Sequence, residues 1–182
     1  MRILGIDPGY AIVGYGVIDY FTNNTFHVAA YGAVTTEPDV PFERRLMTIY
    51  DGINTVINRT KPEVLAIEKL YFVNNVTTGI GVGEARGVTL LAAAQAGLPI
   101  YEYTPMAIKQ AVTGYGKAEK KQVMELTRII LGLDKLPNPM IQRTLWLWRY
   151  AMPIQALPLS GRYMPDTTEV TNDLFAQRNP SG

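Results

Sequence analysis

Two acidic residues at the ends of apolar segments are the first candidates for chemistry. Asp7 closes the apolar run 2–7, and Glu68 closes the run 64–68. A carboxylate at the end of a buried strand needs a basic partner, backbone N–H groups or a metal ion to offset its desolvation. If the two strands are parallel neighbours, both carboxylates lie at one edge of the sheet and need a cation between them.

Oxygen ligands of this kind suit Mg²⁺, which keeps waters and phosphate oxygens as its other ligands. Two such ions about 4 Å apart can activate a water and stabilise the leaving oxygen of a phosphodiester. The alternative is two unrelated strand-end acids, with Asp7 capping the Pro-Gly turn that follows it and Glu68 bonded to loop N–H groups. Spacing alone leaves both interpretations open.

Length and composition place the chain among soluble globular proteins. Its 182 residues, 47% hydrophobic and 18% charged, predict one domain with an adequate core. The net charge of +1 does not indicate a polyanion-binding protein, so any nucleic-acid site must come from local clustering. We expect neither a membrane span nor a signal peptide. The absence of Cys excludes disulfides and thiolate metal sites and fits a cytoplasmic protein.

The order of the predicted elements indicates an α/β fold with a mixed sheet flanked by helices. Apolar residues recur at helical spacing over 42–59. A polar, glycine-containing loop is predicted over 71–83. The remaining predicted elements are strands at 2–7, 10–19, 25–35, 64–68 and 100–103, and helices through 84–96, after Thr104-Pro105, and over 118–131.

Five motifs in order and register resemble the RuvC Holliday junction resolvases over about residues 2–139. The resemblance implies a ribonuclease H-like fold with a five-stranded sheet, a homodimer, and Mg²⁺-dependent symmetric nicking of four-way junction DNA in recombination and repair. It also implies partnership with the branch-migration complex RuvA–RuvB. The motifs are Gly5-Ile6-Asp7-Pro8-Gly9 with Gly14-Tyr15-Gly16, Ala66-Ile67-Glu68, Gly83-Glu84-Ala85-Arg86-Gly87-Val88, Tyr103-Thr104-Pro105 and Ala118-Glu119-Lys120-Lys121-Gln122-Val123.

By this resemblance, Asp7 and Glu68 match the first two metal-binding carboxylates of the family. The resemblance therefore implies that both are catalytic metal ligands, with Mg²⁺ as the cofactor and Mn²⁺ as a substitute.

Basic residues follow in the second half of the chain. Lys109 and Lys120 match positions that the family uses in catalysis and DNA contact. Lys117 and Lys121 join Lys120 in the densest positive patch, interrupted only by Glu119 among charged residues. Phosphate binding by this patch would depend steeply on salt. The alternative is a solvated helix face, the commoner role of a lysine run.

Further candidates for DNA binding come from the two middle motifs. Tyr71 falls at the position of a family aromatic that stacks on a base near the junction, and Phe72 follows it. Both residues could instead cover the core. Arg86 could contact phosphate or pair on its own helix with Glu84.

The resemblance stops after Pro139. The family's last motif is a helix with two Asp residues three apart, which complete the metal site, followed by alternating Leu and Ala. This chain has no Asp or Glu between Asp134 and Asp166, and both Trp residues lie there. We therefore expect a nuclease domain at 1–157, whose last helix at 140–157 is altered, and a disordered tail at 158–182.

The genetic code offers an explanation. Reading one base earlier turns Met140-Ile141 into a forced Asp codon, and Pro139-Met140 into another if Pro139 is CCG. Trp146-Leu147 and Trp148-Arg149 then give Ala with common codons. One consistent back-translation is Asp-Asp-Thr-Ala-Asp-Ala-Leu-Ala-Leu-Ala-Ile-Cys-His-Ala, the expected motif. The hypothesis is a one-base deletion near codons 137–139; the alternative is a divergent segment.

Two functions follow. The first is a junction-resolving endonuclease by descent, with catalysis impaired in this chain by loss of the acidic motif. The alternative is a non-catalytic branched-DNA-binding protein. A third interpretation, the phosphate-holding Asp-x-Gly loop of sugar kinases and actin-like proteins, is disfavoured because no second phosphate loop is found.

Overall fold

A five-stranded mixed sheet forms the centre of the protein. The computed structural model describes residues 1–21, 25–70 and 76–130. The strand order is β3-β2-β1-β4-β5, with antiparallel pairing from β1 to β3 and parallel pairing of β1 with β4 and of β4 with β5. The α/β class and the mixed five-stranded sheet are thus confirmed. The strands are β1 Arg2–Asp7, β2 Ile12–Tyr20, β3 Phe26–Thr35, β4 Val64–Glu68 and β5 Ile100–Tyr103.

Four helices complete the described part: α1 Phe42–Thr60, α2 Val76–Gln95, α3 Pro105–Thr113 and α4 Lys120–Ile130. The prediction of a loop over 71–83 is wrong from Val76 onward, because α2 begins at Val76. Glycines and β-branched residues make this first half a poor helix former. Packing compensates, because Gly81 lies where a Cβ would be 3.4 Å from atoms of both Phe42 and Tyr10.

The two faces of the sheet carry different helices. Leu4 and Ile6 lie in the core with Ile49 and Ile53 of α1 and with buried alanines of α2. The other face belongs to a second cluster, made by Ile3, Val64, Ala66, Tyr101, Ile108, Val112, Ala118 and Val123. Side chains alternate along a strand, so residues 3, 5 and 7 of β1 share the face on which α3 and α4 pack.

Among the residues that the structure describes, no helix has the length and apolar character needed to cross a membrane. The predicted domain limit at 157, the altered helix at 140–157 and the tail at 158–182 lie outside the described residues.

Candidate active site

Asp7 and Glu68 end neighbouring parallel strands in matching register. Ile3 pairs with Val64 and Ile6 with Ile67, so one residue further along Asp7 lies beside Glu68. Parallel strands end at the same edge, and both acids are half-buried there. The sequence-based condition that the two strands be parallel neighbours is therefore met.

The two acids have one small and one large neighbour on the adjoining strands. Asp7 pairs with Gly14 of β2, and Glu68 pairs with Tyr103 of β5. Directly paired residues present their side chains on the same face. The two carboxylates are consequently flanked by a glycine on one side, where no side chain intrudes, and by an aromatic ring on the other.

The turn after Asp7 is held by a buried arginine of α1. Arg45 is 8% exposed. Its Nε–H donates to Thr36 Oγ1 at 2.9 Å, and its Nη2–H donates to the carbonyl of Tyr10 at 3.3 Å. Its guanidinium carbon lies 4.7 Å from the centroid of the Tyr10 ring. Gly9 admits no side chain, since a Cβ would lie 2.5 Å from the carbonyl oxygen of Ile12. The backbone that follows Asp7 is therefore fixed.

The main chain at Glu68 is held from the opposite face. The Nε–H of Arg86 donates to the Glu68 carbonyl at 3.3 Å, and its Nη2 forms an ion pair with Glu102 of β5. The N–H of Lys69 donates to the Tyr103 carbonyl at 2.8 Å. The side chain of Arg86 is 17% exposed. The sequence left two alternatives for Arg86, a phosphate contact or a pair with Glu84, and did not indicate Glu102, which lies on another element.

The predicted basic residues lie along α3, α4 and the loop between them. Lys109 is half-buried on α3, a helix that starts directly after β5 with Thr104 Oγ1 accepting from the N–H of Ala107 at 3.1 Å. Lys117 and Lys121 are exposed. Lys120 begins α4. Its side chain lies outside what the structure describes.

Tyr71 and Phe72, the predicted stacking aromatics, also lie outside the described residues. Their roles, the metal-ligand roles of Asp7 and Glu68, and the DNA-binding roles of Arg86 and the lysines stay predictions.

The chemistry of the acid pair fits a hard divalent cation in part. Within residues 1–21, 25–70 and 76–130, no group of three or more His, Cys, Asp or Glu side chains could hold a metal ion. Asp7 and Glu68 place two carboxylates at one edge of the sheet. Mg²⁺ accepts one or two carboxylates when waters and phosphate oxygens complete its shell. The pair thus has the oxygen chemistry to contribute two ligands to a divalent cation.

The other end of β1 is anchored independently of the site. Arg2 donates from Nε and Nη2 to both carboxylate oxygens of Asp19 at 2.8 Å, and from Nη1 to the carbonyl of Thr60 at 2.7 Å. The hydrogen bond from Arg2 holds the pKa of Asp19 below its ordinary value. This pairing fixes β1 against β2 at the end remote from Asp7.

A mixed sheet of this order, with an acid at the end of each central parallel strand, defines a ribonuclease H-like nuclease fold. A family model described as crossover junction endodeoxyribonuclease RuvC matches residues 3–143. The chain belongs to the RuvC family.

Relatives agree closely with this assignment. The crossover junction endodeoxyribonuclease RuvC of Caldanaerobacter subterraneus is 49% identical over 139 residues, covering 76% of this chain and 84% of that protein. The RuvC of Brevibacillus brevis is 50% identical over 139 residues, covering 76% of this chain and 83% of that protein. A structure of Thermus thermophilus RuvC in complex with a Holliday junction substrate has a TM-score of 0.78 and 30% identity, covering 86% of this chain and 96% of that chain.

Proposed function

We propose that this protein recognises four-way DNA junctions and carries half of the metal-dependent site that nicks them. The proposal rests on the adjacency of Asp7 and Glu68 at the ends of β1 and β4, in a chain that is 49% identical to a RuvC endonuclease over 139 residues. Family membership supports the class of a junction-resolving endodeoxyribonuclease, acting in recombination and repair.

The family consists of divalent-metal-dependent nucleases, and Mg²⁺ or Mn²⁺ when bound would neutralise charge that develops during phosphodiester hydrolysis. Asp7 and Glu68 would hold the ion at the sheet edge. Arg45 and Arg86 keep the main chain at these two acids in register. Lys109 of α3 would offset phosphate charge on the face of the sheet that carries Asp7.

Binding of the junction would use the remaining predicted contacts. Tyr71, with Phe72 beside it, would stack on a base near the crossing point. Lys117, Lys120 and Lys121 would bind phosphates. This phosphate binding would supply most of the affinity and make the affinity depend on salt concentration.

Catalysis in this chain is impaired, because Asp7 and Glu68 remain while the two acids of the family's last motif are missing. No Asp or Glu occurs between Asp134 and Asp166. The match to the family model ends at residue 143, close to the point at which the sequence departs. This agrees with a single-base deletion near codons 137–139. Sequencing the gene tests it: codons that fail to restore Asp and Ala in the shifted frame exclude the deletion.

The decisive experiment compares two proteins on a synthetic four-way junction. One is this chain, and the other comes from a gene with one base inserted near codons 137–139 to restore the acidic motif. We expect both to bind the junction in preference to linear duplex, and only the restored protein to nick it in Mg²⁺ or Mn²⁺. Restored protein carrying Asp7→Asn is the matched control, expected to bind without nicking.

Equal nicking by both proteins would contradict impaired catalysis. Loss of preference for the junction over duplex would contradict the function itself. The non-catalytic alternative is favoured by the missing acids, and it prevails if the gene sequence excludes the deletion while the chain still binds junctions tightly.

The proposed assembly is a homodimer through α2, working in the cytoplasm with the RuvA–RuvB branch-migration complex. The exposed apolar side chains of α2 support self-association, since Ile80 is 60% and Leu91 52% exposed. Size-exclusion chromatography with light scattering tests this: a monomer at micromolar concentration would contradict it.

A further inference from the structure

The loop between α3 and α4 presents an aromatic side chain to solvent on a fixed backbone. Tyr115 is 60% exposed. Its N–H donates to Thr113 Oγ1 at 3.1 Å, and its carbonyl accepts from the N–H of Ala118 at 3.1 Å. Gly114 precedes it with φ of +76°, a backbone conformation that would be strained for a residue with a side chain. The backbone at Tyr115 therefore loses little further conformational entropy when a ligand binds to the side chain.

Met106 extends this exposed apolar surface. It is 63% exposed at the start of α3. A Cβ on Gly116 would lie 2.8 Å from Met106 Cγ, so the methionine packs directly against the loop backbone next to Tyr115. The two exposed apolar side chains, which flank one short loop backbone, form a candidate contact surface. We call Met106 and Tyr115 together the Tyr115 platform.

The surroundings of the Tyr115 platform are basic. Residues 105–122 contain four lysines and a single acid, Glu119, although the whole chain carries a net charge of only +1. Lys117 follows the platform in the same loop, and Lys109 lies one helical turn beyond Met106, three residues further on α3. Glu125 borders the hollow of about 430 Å³ beneath Tyr115, but it pairs with Arg128 at 2.7 Å.

An aromatic and a flexible apolar side chain among lysines suit nucleic acid better than an apolar partner. Bases stack on aromatic side chains with little regard to sequence, while lysines bind the flanking phosphates. An uncharged protein partner for an apolar surface would not require this density of positive charge. Helix α3, which carries Met106, begins two residues after Tyr103, and Tyr103 pairs with Glu68.

We propose that the Tyr115 platform is a second stacking site for branched DNA, separate from Tyr71. The Tyr115 ring contacts an unstacked base next to the branch point, Met106 packs beside it, and Lys117 binds the adjacent phosphate. This inference rests on the proposed recognition of junction DNA and adds a recognition element on a different loop.

The test measures dissociation constants by fluorescence anisotropy with a labelled four-way junction for the unaltered chain, Tyr115→Ala and Tyr115→Phe. A lost base stack weakens binding about 5- to 150-fold, and a retained ring keeps it within about twofold. Tyr31→Ala is the matched control, because Tyr31 is 51% exposed on β3, outside the platform. It should bind like the unaltered chain.

Two further measurements separate stacking from charge. Tyr115→Ala should leave the slope of log affinity against log salt unchanged, whereas Lys117→Gln should reduce that slope by about one. A 2-aminopurine at the branch point should be quenched by the unaltered chain and by Tyr115→Phe, and less by Tyr115→Ala.

Equal affinity of Tyr115→Ala and the unaltered chain overturns this inference and leaves junction recognition standing. Absence of junction binding by the unaltered chain overturns both. A Tyr115→Ala variant that binds DNA normally and loses self-association in light scattering also overturns it, since the platform would then be a contact between copies.

Discussion

The guanidinium of Arg86 donates from Nε to the main-chain carbonyl of Glu68 at 3.3 Å, from the face of the sheet opposite the Glu68 side chain. Glu102 completes this arrangement by pairing with Arg86, and Lys69 Nζ lies 3.9 Å from the same carboxylate. Helix α2 thus fixes the strand end that presents Glu68, without entering the site itself.

Replacing Arg86 by Met removes this support and leaves Glu102 without its closest partner. We expect the free energy of unfolding to fall by about 1–2 kcal/mol, a value reduced for the partial exposure of Glu102. Urea denaturation measures it. Arg128→Met is the matched control, because that arginine pairs with Glu125 at the surface, and its melting temperature should not change. Equal effects of the two substitutions would contradict a positioning role.

Asp7→Asn and Glu68→Gln should each remove the stabilisation of the folded protein by divalent metal. A ligand that binds only the folded state raises the melting temperature, and the increase grows with the logarithm of its concentration relative to its dissociation constant. Melting curves with and without Mn²⁺ should show an increase for the unaltered chain that both variants lose. Glu63→Gln, which changes an exposed acid beside Arg2, should keep the increase. A retained increase in both site variants would exclude them as ligands.

Arg45→Met should destabilise the protein by about 2–3 kcal/mol, because the carbonyl of Tyr10 and Thr36 Oγ1 lose a buried charged donor. Thr36→Val removes the hydrogen bond from Thr36 Oγ1 to the Tyr10 carbonyl at 2.7 Å and the one that Oγ1 accepts from Arg45 at 2.9 Å, and should cost about 1–3 kcal/mol. Since both act on one network, the double variant should cost less than the sum. Strict additivity in urea denaturation would show that the two do not cooperate.

The Arg2–Asp19 pair predicts a dependence of stability on pH. The lowered pKa of Asp19 means that its contribution is complete above the unfolded carboxyl value of about 3.9 and is lost as pH falls through the folded value. Asp19→Asn should therefore cost more at pH 7 than at pH 3, by at most about 1 kcal/mol given the exposure of Arg2. Urea midpoints at both pH values measure it. A larger cost in acid would contradict this sign.

The residues that sequence reasoning found share a local signature. Asp7 and Glu68 each interrupt an apolar run at its end, so their burial and strand position could be predicted without a fold. Arg45 has no such signature, because an arginine on an amphipathic helix normally points to water. The same limit applies to Glu102, whose partner is 16 residues away on another element.

The start of α2 was missed for a different reason. Local propensity argues against a helix in a segment with three glycines, and the packing that overrides it involves Phe42 and Tyr10, both distant in the chain.

Helix α2 bears Arg86 towards the sheet and Ile80 and Leu91 towards solvent. In a dimer formed through that outer face, the two α2 helices would pack against each other, and each would hold the strand end at Glu68 of its own protomer through Arg86. Linked equilibria are reciprocal, so metal ions that order Glu68 would tighten self-association by the factor by which self-association raises metal affinity. Dilution would then weaken metal binding, because separated protomers would bind the ion less tightly than the dimer.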